Sequence, residues 1–319
     1  MLAPTRRGPD DDSEVAARPG SAGAADLARL VADLPPLSRT LLLPIVARAR
    51  EDARASAFRD PVAATIVRRL EAVAADDLAR ARRDRLTAAA VVARAIALDR
   101  MVAAAIARRP ERPVVNLGAG LDTRRSRLDR RPPDHDADAG PPWFDLDLES
   151  ACRLREAMLG PAVPGPDMLG LGDGAIVTAD VRRPGWDRGL PPGPLLLVAE
   201  GLLPFLARGE VDALVADVAR HRPGSELVAD VVGPVLQVIP RIARVLRGTG
   251  VRFAWSCRRA SDLERAAATV RVLEEVHAID VTEAPWGAVR RLRRLPEVRR
   301  TLRFVRLGLG PAEDAVASA

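Results

Sequence analysis

After Pro113 the sequence alternates between short apolar runs and segments with helical periodicity, and this alternation constrains the fold most strongly. Strands that alternate with helices are typical of βαβ units. Continuously apolar strands are typical of sheets covered on both faces. The pattern predicts an α/β fold with a Rossmann-like, doubly wound, mostly parallel sheet and helices on both faces. The apolar runs are Val114–Leu117, Trp143–Leu148, Ala175–Thr178, Leu195–Ala199, Glu226–Val232 and Val251–Ser256.

The segments between these runs have helical periodicity and begin near Asp122, Glu149, Arg208 and Pro234. The stretch RTLRFVRLGLG, residues 300–310, predicts one further strand at an edge of the sheet.

The regions outside the alternating pattern predict four units along the chain. Residues 1–24 are polar and rich in proline, glycine and aspartate, which predicts a disordered tail. Residues 25–110 have helical patterns without strand signals, and we expect a helical lid that also forms much of the substrate pocket. Residues 111–311 form the predicted α/β core, and 312–319 a flexible tail. We expect residues 25–311 to form one structural domain.

The charge of the chain is weak support for a nucleic-acid partner. The formal net charge is +6, and every basic residue is arginine. Acidic and basic residues mostly alternate along the chain, whereas a nucleic-acid footprint would be clustered. The exception is the dense arginine run RRLRRLPEVRR, residues 290–300, which we interpret as a solvated face rather than an anion-binding site.

Other features predict a cytoplasmic protein without a metal site. Cys152 and Cys257 lie far apart and match no metal or redox spacing. The first residues have no apolar signal segment, and no apolar run approaches the ~20 residues that span a bilayer. The aspartate-rich loop 130–142 matches no metal-binding spacing and is interpreted as solvated.

The stretch VVNLGAGLDTR, residues 114–124, ends the first predicted strand in a glycine-rich turn, the usual ligand site of such sheets. Gly118 and Gly120 match the first two glycines of the dinucleotide fingerprint, but Thr123 replaces the third. We expect the carboxylate of Asp122 to repel a pyrophosphate. The turn therefore favours S-adenosylmethionine, which has no phosphate; a tight turn without a ligand is the alternative.

The second predicted strand ends in WFDLDLES, which carries Asp145 and Asp147 on one face. An acidic residue at this position can accept hydrogen bonds from ribose hydroxyls. Asp147 lies nearer the carboxyl end, so we prefer it. The alternative is that both residues only cap the next helix.

Several stretches together resemble the leucine carboxyl methyltransferase family, in its bacterial branch that includes polyketide O-methyltransferases. The resemblance covers about residues 40–256. No single motif is specific, but the combination and its order are. The matching stretches are LLLPIVARARE, FRDPVA, VVNLGAGLDTRRSRL, WFDLDLESACRLRE, VTADVRRPGW, LLLVAEGLLPFL and GSELVADVV.

The resemblance implies S-adenosylmethionine as cofactor and a role for each matching residue. Gly118 and Gly120 would line the methionyl end beside Asp122, and Asp147 would hold the ribose. The adenine would contact Asp180 and the backbone of Val181, and Glu200 would face cofactor and substrate. Arg94, which interrupts an apolar helix, would reach the cofactor's carboxylate; the alternative is that it extends to solvent. The implied cofactor-binding residues are Arg94, Gly118, Gly120, Asp122, Asp147, Asp180, Val181 and Glu200.

One departure affects the catalytic assignment. Phe205 stands where related sequences usually have tyrosine, so ring packing is kept and a phenolic hydrogen bond is lost. We assign Glu200 and Phe205 to positioning and leave the catalytic group open. His221 and His277 do not end predicted strands, and neither is assigned as a base. The absence of an evident base favours a carboxylate acceptor, since a hydroxyl acceptor needs one.

We therefore predict an S-adenosylmethionine-dependent O-methyltransferase that acts on a carboxylate, or a hydroxyl, of a small hydrophobic or polyketide-like molecule. No nucleic-acid or membrane partner is expected, and the oligomeric state is left open. The alternatives are an NAD-dependent oxidoreductase, an arginine-rich nucleic-acid-binding protein and a cofactor-binding protein without catalysis.

Overall fold

A computed structural model describes residues 22–36, 38–54, 56, 58–128, 140–160, 174–238 and 252–311. Its central feature is a seven-stranded sheet with the order β3-β2-β1-β4-β5-β7-β6. The fold is the expected α/β, Rossmann-like, mostly parallel arrangement. The strands are β1 (Val114–Leu117), β2 (Trp143–Asp147), β3 (Gly174–Thr178), β4 (Leu196–Ala199), β5 (Ser225–Val232), β6 (Val270–His277) and β7 (Leu302–Leu309).

The first five strands run parallel, and β1 lies between β2 and β4, where the strand order reverses. Ligands of open α/β sheets bind at this reversal, beyond the carboxyl ends of the strands. The turn after β1 and the residues that end β2 and β4 therefore meet at one place.

The last two strands differ from the sequence prediction. β7 pairs antiparallel with both β5 and β6, so it is an inner strand and the predicted edge position is wrong. The edge belongs to β6, which the sequence analysis missed. After the buried Val270, its side chains alternate between exposed and half-buried, and charged residues such as Arg271, Glu274 and Glu275 interrupt the apolar signal.

The predicted strand Val251–Ser256 is also wrong for its described residues, 252–256, which carry no strand. The backbone N–H groups of Ala254 and Trp255 donate to the carbonyl of Pro204, 2.8 and 3.2 Å away. This extended segment is therefore held against the loop after β4 rather than against a neighbouring strand.

Helices precede the sheet, as the sequence predicted for this part of the chain. Asp60 caps α3 by accepting a hydrogen bond from Ala63 N at 2.9 Å, and Pro61 stands at the first helical position. The five helices are α1 (Ala24–Ala32), α2 (Leu42–Asp52), α3 (Pro61–Leu70), α4 (Ala75–Arg83) and α5 (Arg85–Arg108).

Five shorter or connecting helices follow among the described residues. Four begin within two residues of the predicted positions, because the strands before them end in clear turn signals. They are α6 (Arg124–Leu128), α7 (Glu149–Leu159), α8 (Arg208–His221), α9 (Pro234–Val238) and, before β7, α10 (Pro296–Arg299).

Apolar residues cover both faces of the sheet. Val115, Leu117 and Leu197 pack with α8 on one face. Val114, Leu196 and Val198 pack with the 24-residue helix α5 on the other. A third apolar cluster joins α1–α4 to α7. The N-terminal helices are thereby anchored to the sheet next to the carboxyl end of β2.

Several sequence predictions fall on residues outside those described: most of the tail 1–24, the tail 312–319 and residues 130–139 of the aspartate-rich loop. Within the described ranges, no cluster of three or more His, Cys, Asp or Glu side chains is arranged to hold a metal ion. In the same ranges, every helix is too short or too polar to cross a bilayer.

Candidate cofactor site at the carboxyl edge of the sheet

The turn after β1 needs glycine at two positions. Gly118 has φ +63° and Gly120 has φ +45°, a left-handed conformation that favours glycine. A Cβ atom at Gly118 would lie 3.2 Å from Leu202 Cδ1, and one at Gly120 would lie 3.3 Å from Leu41 Cβ. Any larger residue at either position would therefore be strained and would crowd Leu202 or Leu41.

Asp147, at the end of β2, holds this turn. Its Oδ2 accepts a hydrogen bond from Gly120 N at 2.7 Å, and its Oδ1 accepts one from Leu148 N at 2.7 Å. Burial raises the pKa of Asp147 above its ordinary value, although these two N–H groups oppose the rise. A carboxylate has about four acceptor sites, so room remains for ribose hydroxyls.

The side chain of Asp145, unlike that of Asp147, does not line the cavity described below. Its side chain is buried and accepts hydrogen bonds from Arg155 Nη2 at 2.6 Å, Asn116 Nδ2 at 3.1 Å and Trp143 Nε1 at 3.3 Å. This geometry supports the preference for Asp147 as the ribose-binding residue.

The structure contradicts the argument that Asp122 would repel a pyrophosphate. Its Oδ2 accepts hydrogen bonds from Arg124 Nη1 at 2.7 Å and Asn116 Nδ2 at 3.1 Å. Burial alone would raise the pKa of Asp122, but the guanidinium groups of Arg124 and Arg127 lower it far below its ordinary value. The carboxylate is ionised, but the neighbouring guanidinium groups neutralise its charge. The charge of Asp122 is therefore no reason by itself to exclude a ligand with a pyrophosphate.

Glu200, at the end of β4, is buried among arginines. Its Oε1 lies 3.0 Å from Arg94 Nε and 3.7 Å from Arg48 Nη1, and its Oε2 accepts a short hydrogen bond from Arg124. Burial alone would raise the pKa of Glu200, but Arg94 and Arg124 hold it below the ordinary value. The charge of the buried Glu200 carboxylate is thus compensated by guanidinium groups, as a buried charge requires.

Arg94 also contacts Asp230, a buried residue of β5. Arg94 Nη1 lies 3.3 Å from Asp230 Oδ2, and Gly201 N donates to Asp230 Oδ1 at 2.5 Å. Burial raises the pKa of Asp230, and Arg94 opposes the rise. Among the described residues, Arg94 uses two of its five N–H donors. The remaining donors can still serve a ligand carboxylate.

A buried ion-pair network continues behind the turn. Arg127 donates to Asp99 Oδ2 at 2.7 Å and Asp60 Oδ2 at 3.0 Å, and Arg124 donates to Asp99 Oδ1 at 2.8 Å. Thr123 Oγ1 donates to Asp60 Oδ2 at 2.6 Å. Helices α3, α5 and α6 are thereby tied to the turn.

The predicted adenine-binding residues lie at the end of β3. The carboxylate of Asp180 pairs with Arg182, whose Nε donates to Oδ1 at 2.8 Å and whose Nη2 donates to Oδ2 at 2.7 Å. The hydrogen bonds from Arg182 lower the pKa of Asp180. Phe205 lies farther along the same edge, with its ring centroid 5.3 Å from that of Phe253.

These groups surround one cavity of about 630 Å³, a volume within the ~300–1,000 Å³ typical of small-molecule sites. All nine residues singled out in the sequence line it, and their individual roles stay predictions. They are Arg94, Gly118, Gly120, Asp122, Asp147, Asp180, Val181, Glu200 and Phe205. His221 and His277 are not among the lining residues; His221 is exposed beside Asp217, and His277 bonds to the carbonyl of Arg299.

The sequence analysis missed the partners of these residues. Arg124 and Asp230 are both buried; Asp230 lines the cavity, and Arg124 lies behind it as a partner of Asp122 and Glu200. Asp230 interrupts the apolar run LVADVV, and it could have been found because a charged residue in such a strand is rarely buried without a partner. Nothing local distinguishes Arg124 from Arg125 beside it, because the carboxylates that bind Arg124 come from distant parts of the chain.

The charge around the cavity suits a cationic ligand. The described residues that line the cavity include three guanidinium groups and five carboxylates. S-adenosylmethionine carries a sulfonium and an ammonium group against one carboxylate, so it complements a site with excess negative charge. The guanidinium groups are Arg48, Arg94 and Arg182, and the carboxylates are Asp122, Asp147, Asp180, Glu200 and Asp230.

Comparisons with known proteins identify the family of the chain. A sequence model of the leucine carboxyl methyltransferase family matches residues 42–219, more than half of the chain. The tetracenomycin polyketide synthesis O-methyltransferase TcmP of Streptomyces glaucescens is 29% identical over 243 residues, covering 76% of this chain and 83% of that protein.

Two further relatives are more distant. The S-adenosyl-L-methionine-dependent methyltransferase dpfgK of Gibberella zeae is 26% identical over 160 residues, 47% of this chain and 50% of that protein. The crystal structure of a candidate methyltransferase from Thermobifida fusca superposes with a TM-score of 0.50 at 18% identity, covering 83% of this chain and 94% of that one, which supports the fold.

The family match includes α2, α5, the glycine turn, Asp147 and Glu200, all of which contribute residues to the cavity lining. An NAD-dependent oxidoreductase, one of the alternatives left open by the sequence, does not agree with this match. The chain belongs to the leucine carboxyl methyltransferase family and is an S-adenosylmethionine-dependent methyltransferase.

Proposed function

We propose that this protein methylates a carboxylate oxygen of a small apolar or polyketide-like acceptor. The observation that carries the proposal is the composition of the cavity wall beyond the glycine turn. That wall is apolar and includes Val91, Leu236, Phe253, Ile279 and Trp286. The similarity to an O-methyltransferase of polyketide synthesis adds support.

S-adenosylmethionine, when bound, supplies a methyl group that its sulfonium already activates. The residues around the cavity would then bind and align. Asp147 would accept hydrogen bonds from the ribose, and the free donors of Arg94 would bind the methionyl carboxylate. Asp180 and the backbone of Val181 would contact the adenine. Such positioning can contribute about 7–11 kcal/mol of the barrier reduction.

The choice of a carboxylate acceptor follows from the titratable groups at the cavity. No histidine lines it among the described residues. Asp122 and Glu200 are held ionised by arginines, which makes them weak bases. A carboxylate acceptor is ionised at neutral pH and needs no general base. Phe205 and Phe253 offer ring surface that can hold an apolar acceptor beside Glu200.

A hydroxyl acceptor is the second candidate, and one observation favours it. Asp230 lines the cavity, its pKa is raised by burial, and only two hydrogen bonds reach its carboxylate within the described part of the chain. A carboxylate with a raised pKa can remove a proton from a hydroxyl group.

A matched acceptor pair tests the proposal. We expect methyl transfer from isotope-labelled S-adenosylmethionine to anthracene-2-carboxylic acid rather than to 2-anthrol, and a product that releases methanol in alkali because it is an ester. An alkali-stable ether, together with a loss of about 10²–10⁴-fold in rate for Asp230→Asn, would show the hydroxyl candidate instead. Transfer to neither, with cofactor binding intact, would contradict the proposed acceptor class.

A further inference from the structure

The connection between β6 and β7 forms part of the cavity wall. It contains a 3-10 segment, Gly287–Arg294, followed by α10. Val289 and Leu292 from this segment, and Val298 from α10, line the cavity. A 3-10 helix has three residues per turn, so Val289, Leu292 and Leu295 lie along one edge. Val289 and Leu292 of this edge line the cavity, whereas Leu295 does not. Leu292 is also 46% exposed, which places it where the cavity opens to solvent.

After Gly287 and Ala288, the other two edges of this 3-10 segment carry only arginines. We call Arg290, Arg291, Arg293 and Arg294 the arginine rim; all four are exposed, and the structure shows no ion pair for them among the described residues. Several exposed arginines elsewhere have an acidic partner. Arg80 pairs with Asp77 at 2.8 Å, and Arg208 pairs with Asp212 at 2.7 Å. Within the described part of the chain, the rim is therefore a concentration of positive charge without paired acids.

The rim is fixed to the body of the protein at both ends. Trp286, just before the segment, is buried, and its Nε1 donates to the carbonyl of Val281 at 3.1 Å. After α10, Gly233 N donates to Thr301 O at 2.8 Å, and a Cβ at Gly233 would lie only 2.2 Å from Arg300 O. The cation cluster thus has a defined place beside the cavity mouth.

We propose that the arginine rim binds an anionic group of the acceptor, at the cavity mouth, while the apolar body of the acceptor enters the cavity. This rests on the proposed function and narrows the acceptor class to amphiphilic anions, with a carboxylate, sulfonate or phosphate outside the reacting centre. The sequence favoured a merely solvated face for residues 290–300. The arginines are solvated, but the same segment contributes apolar side chains to the cavity.

Guanidinium groups are suited to this role because their donors match the oxygens of carboxylates and phosphates. Each exposed pair is weak, so the four arginines would act mainly through their combined field. Binding through such a field weakens as salt is added. An acceptor without a second anionic group would enter the same apolar space without this dependence.

Two fluorescent probes with one skeleton test the proposal in the full chain. 8-Anilinonaphthalene-1-sulfonate is an apolar anion, and N-phenyl-1-naphthylamine is its neutral counterpart. We expect the sulfonate to bind the wild type more tightly, and R290Q/R291Q/R293Q/R294Q to weaken it by about tenfold while the neutral probe changes less than about twofold. Added salt should reduce sulfonate binding to the wild type and have little effect on the variant.

A charge-matched control is R29Q/R80Q/R153Q/R208Q, which removes four exposed arginines that each pair with an acid in the same helix. It should leave both affinities nearly unchanged. Equal losses in the control, equal losses of both probes in the rim variant, or no sulfonate binding to the wild type would each overturn the proposal. Rim-dependent binding of a single-stranded oligonucleotide without any preference for the sulfonate probe would also overturn it.

The thermal shift with S-adenosylhomocysteine separates this inference from the proposed function. The rim variant should keep the shift of the wild type, since the rim lies outside the predicted cofactor contacts. A wild type without that shift would contradict the proposed function, whereas the comparison of the two probes would still decide whether the rim selects anions.

Discussion

Asp147→Ala is expected to weaken the binding of S-adenosylhomocysteine by about 100-fold or more. Two charge-assisted hydrogen bonds to ribose hydroxyls contribute about 1.5–3 kcal/mol each, and the substitution also removes the acceptor that holds Gly120 N at 2.7 Å. Calorimetric titration of wild type and variant measures the ratio of the two Kd values.

Asp145→Asn is the matched control for this effect, because Asp145 lies in the same strand but does not line the cavity. The substitution removes the carboxylate that lies 2.6 Å from Arg155. We therefore expect a lower stability of the protein, and a nearly unchanged Kd for S-adenosylhomocysteine in the folded protein. An Asp147→Ala affinity within threefold of the wild type would contradict the ribose assignment.

Arg124→Met is expected to lower the free energy of unfolding by about 3–5 kcal/mol. The guanidinium is completely buried, and it donates to Asp99 at 2.8 Å, to Asp122 at 2.7 Å and to Glu200. Removing it leaves three carboxylates close together without their shared cation. Chemical unfolding of the purified variant, followed by circular dichroism, measures the loss.

Arg153→Met provides the control, because Arg153 and its partner Glu149 are both well exposed. Exposed pairs contribute little, so a change within about 0.5 kcal/mol is expected there. Arg124→Lys keeps the positive charge and should fall between the wild type and Arg124→Met. A loss below about 1 kcal/mol for Arg124→Met would mean that the network does not stabilise the site.

The local part of the fold could be predicted from the sequence. The apolar runs of β1, β2 and β4 are continuous because these strands are covered on both faces, and that signal is strong. The glycine turn was also predictable, because its glycines directly follow the apolar run of β1 in the sequence.

The rest depended on contacts between distant residues. β6 was missed because one face meets solvent and its charged side chains interrupt the apolar signal. Without β6, the sequence analysis placed β7 at an edge of the sheet. The charge of Asp122 was misjudged because its partners Arg124 and Arg127 were not recognised as buried. Sequence patterns show which residues are charged, whereas the fold decides which charges are neutralised.

The same lesson applies to residues 290–300. Their charge alone is typical of a solvated face. Only the packing of Trp286 and of the segment after α10 shows that Leu292 and Val298 belong to the cavity wall.

The central claim is that the cavity at the ends of β1, β2 and β4 binds S-adenosylmethionine, and a paired thermal-shift measurement tests it most directly. At 100 times its Kd, S-adenosylhomocysteine should stabilise the wild type by about 2.7 kcal/mol, or about 5–10 °C in Tm for a chain of this size. NADH at the same concentration should leave Tm unchanged. Equal shifts with both ligands, or a shift with NADH alone, would contradict the account.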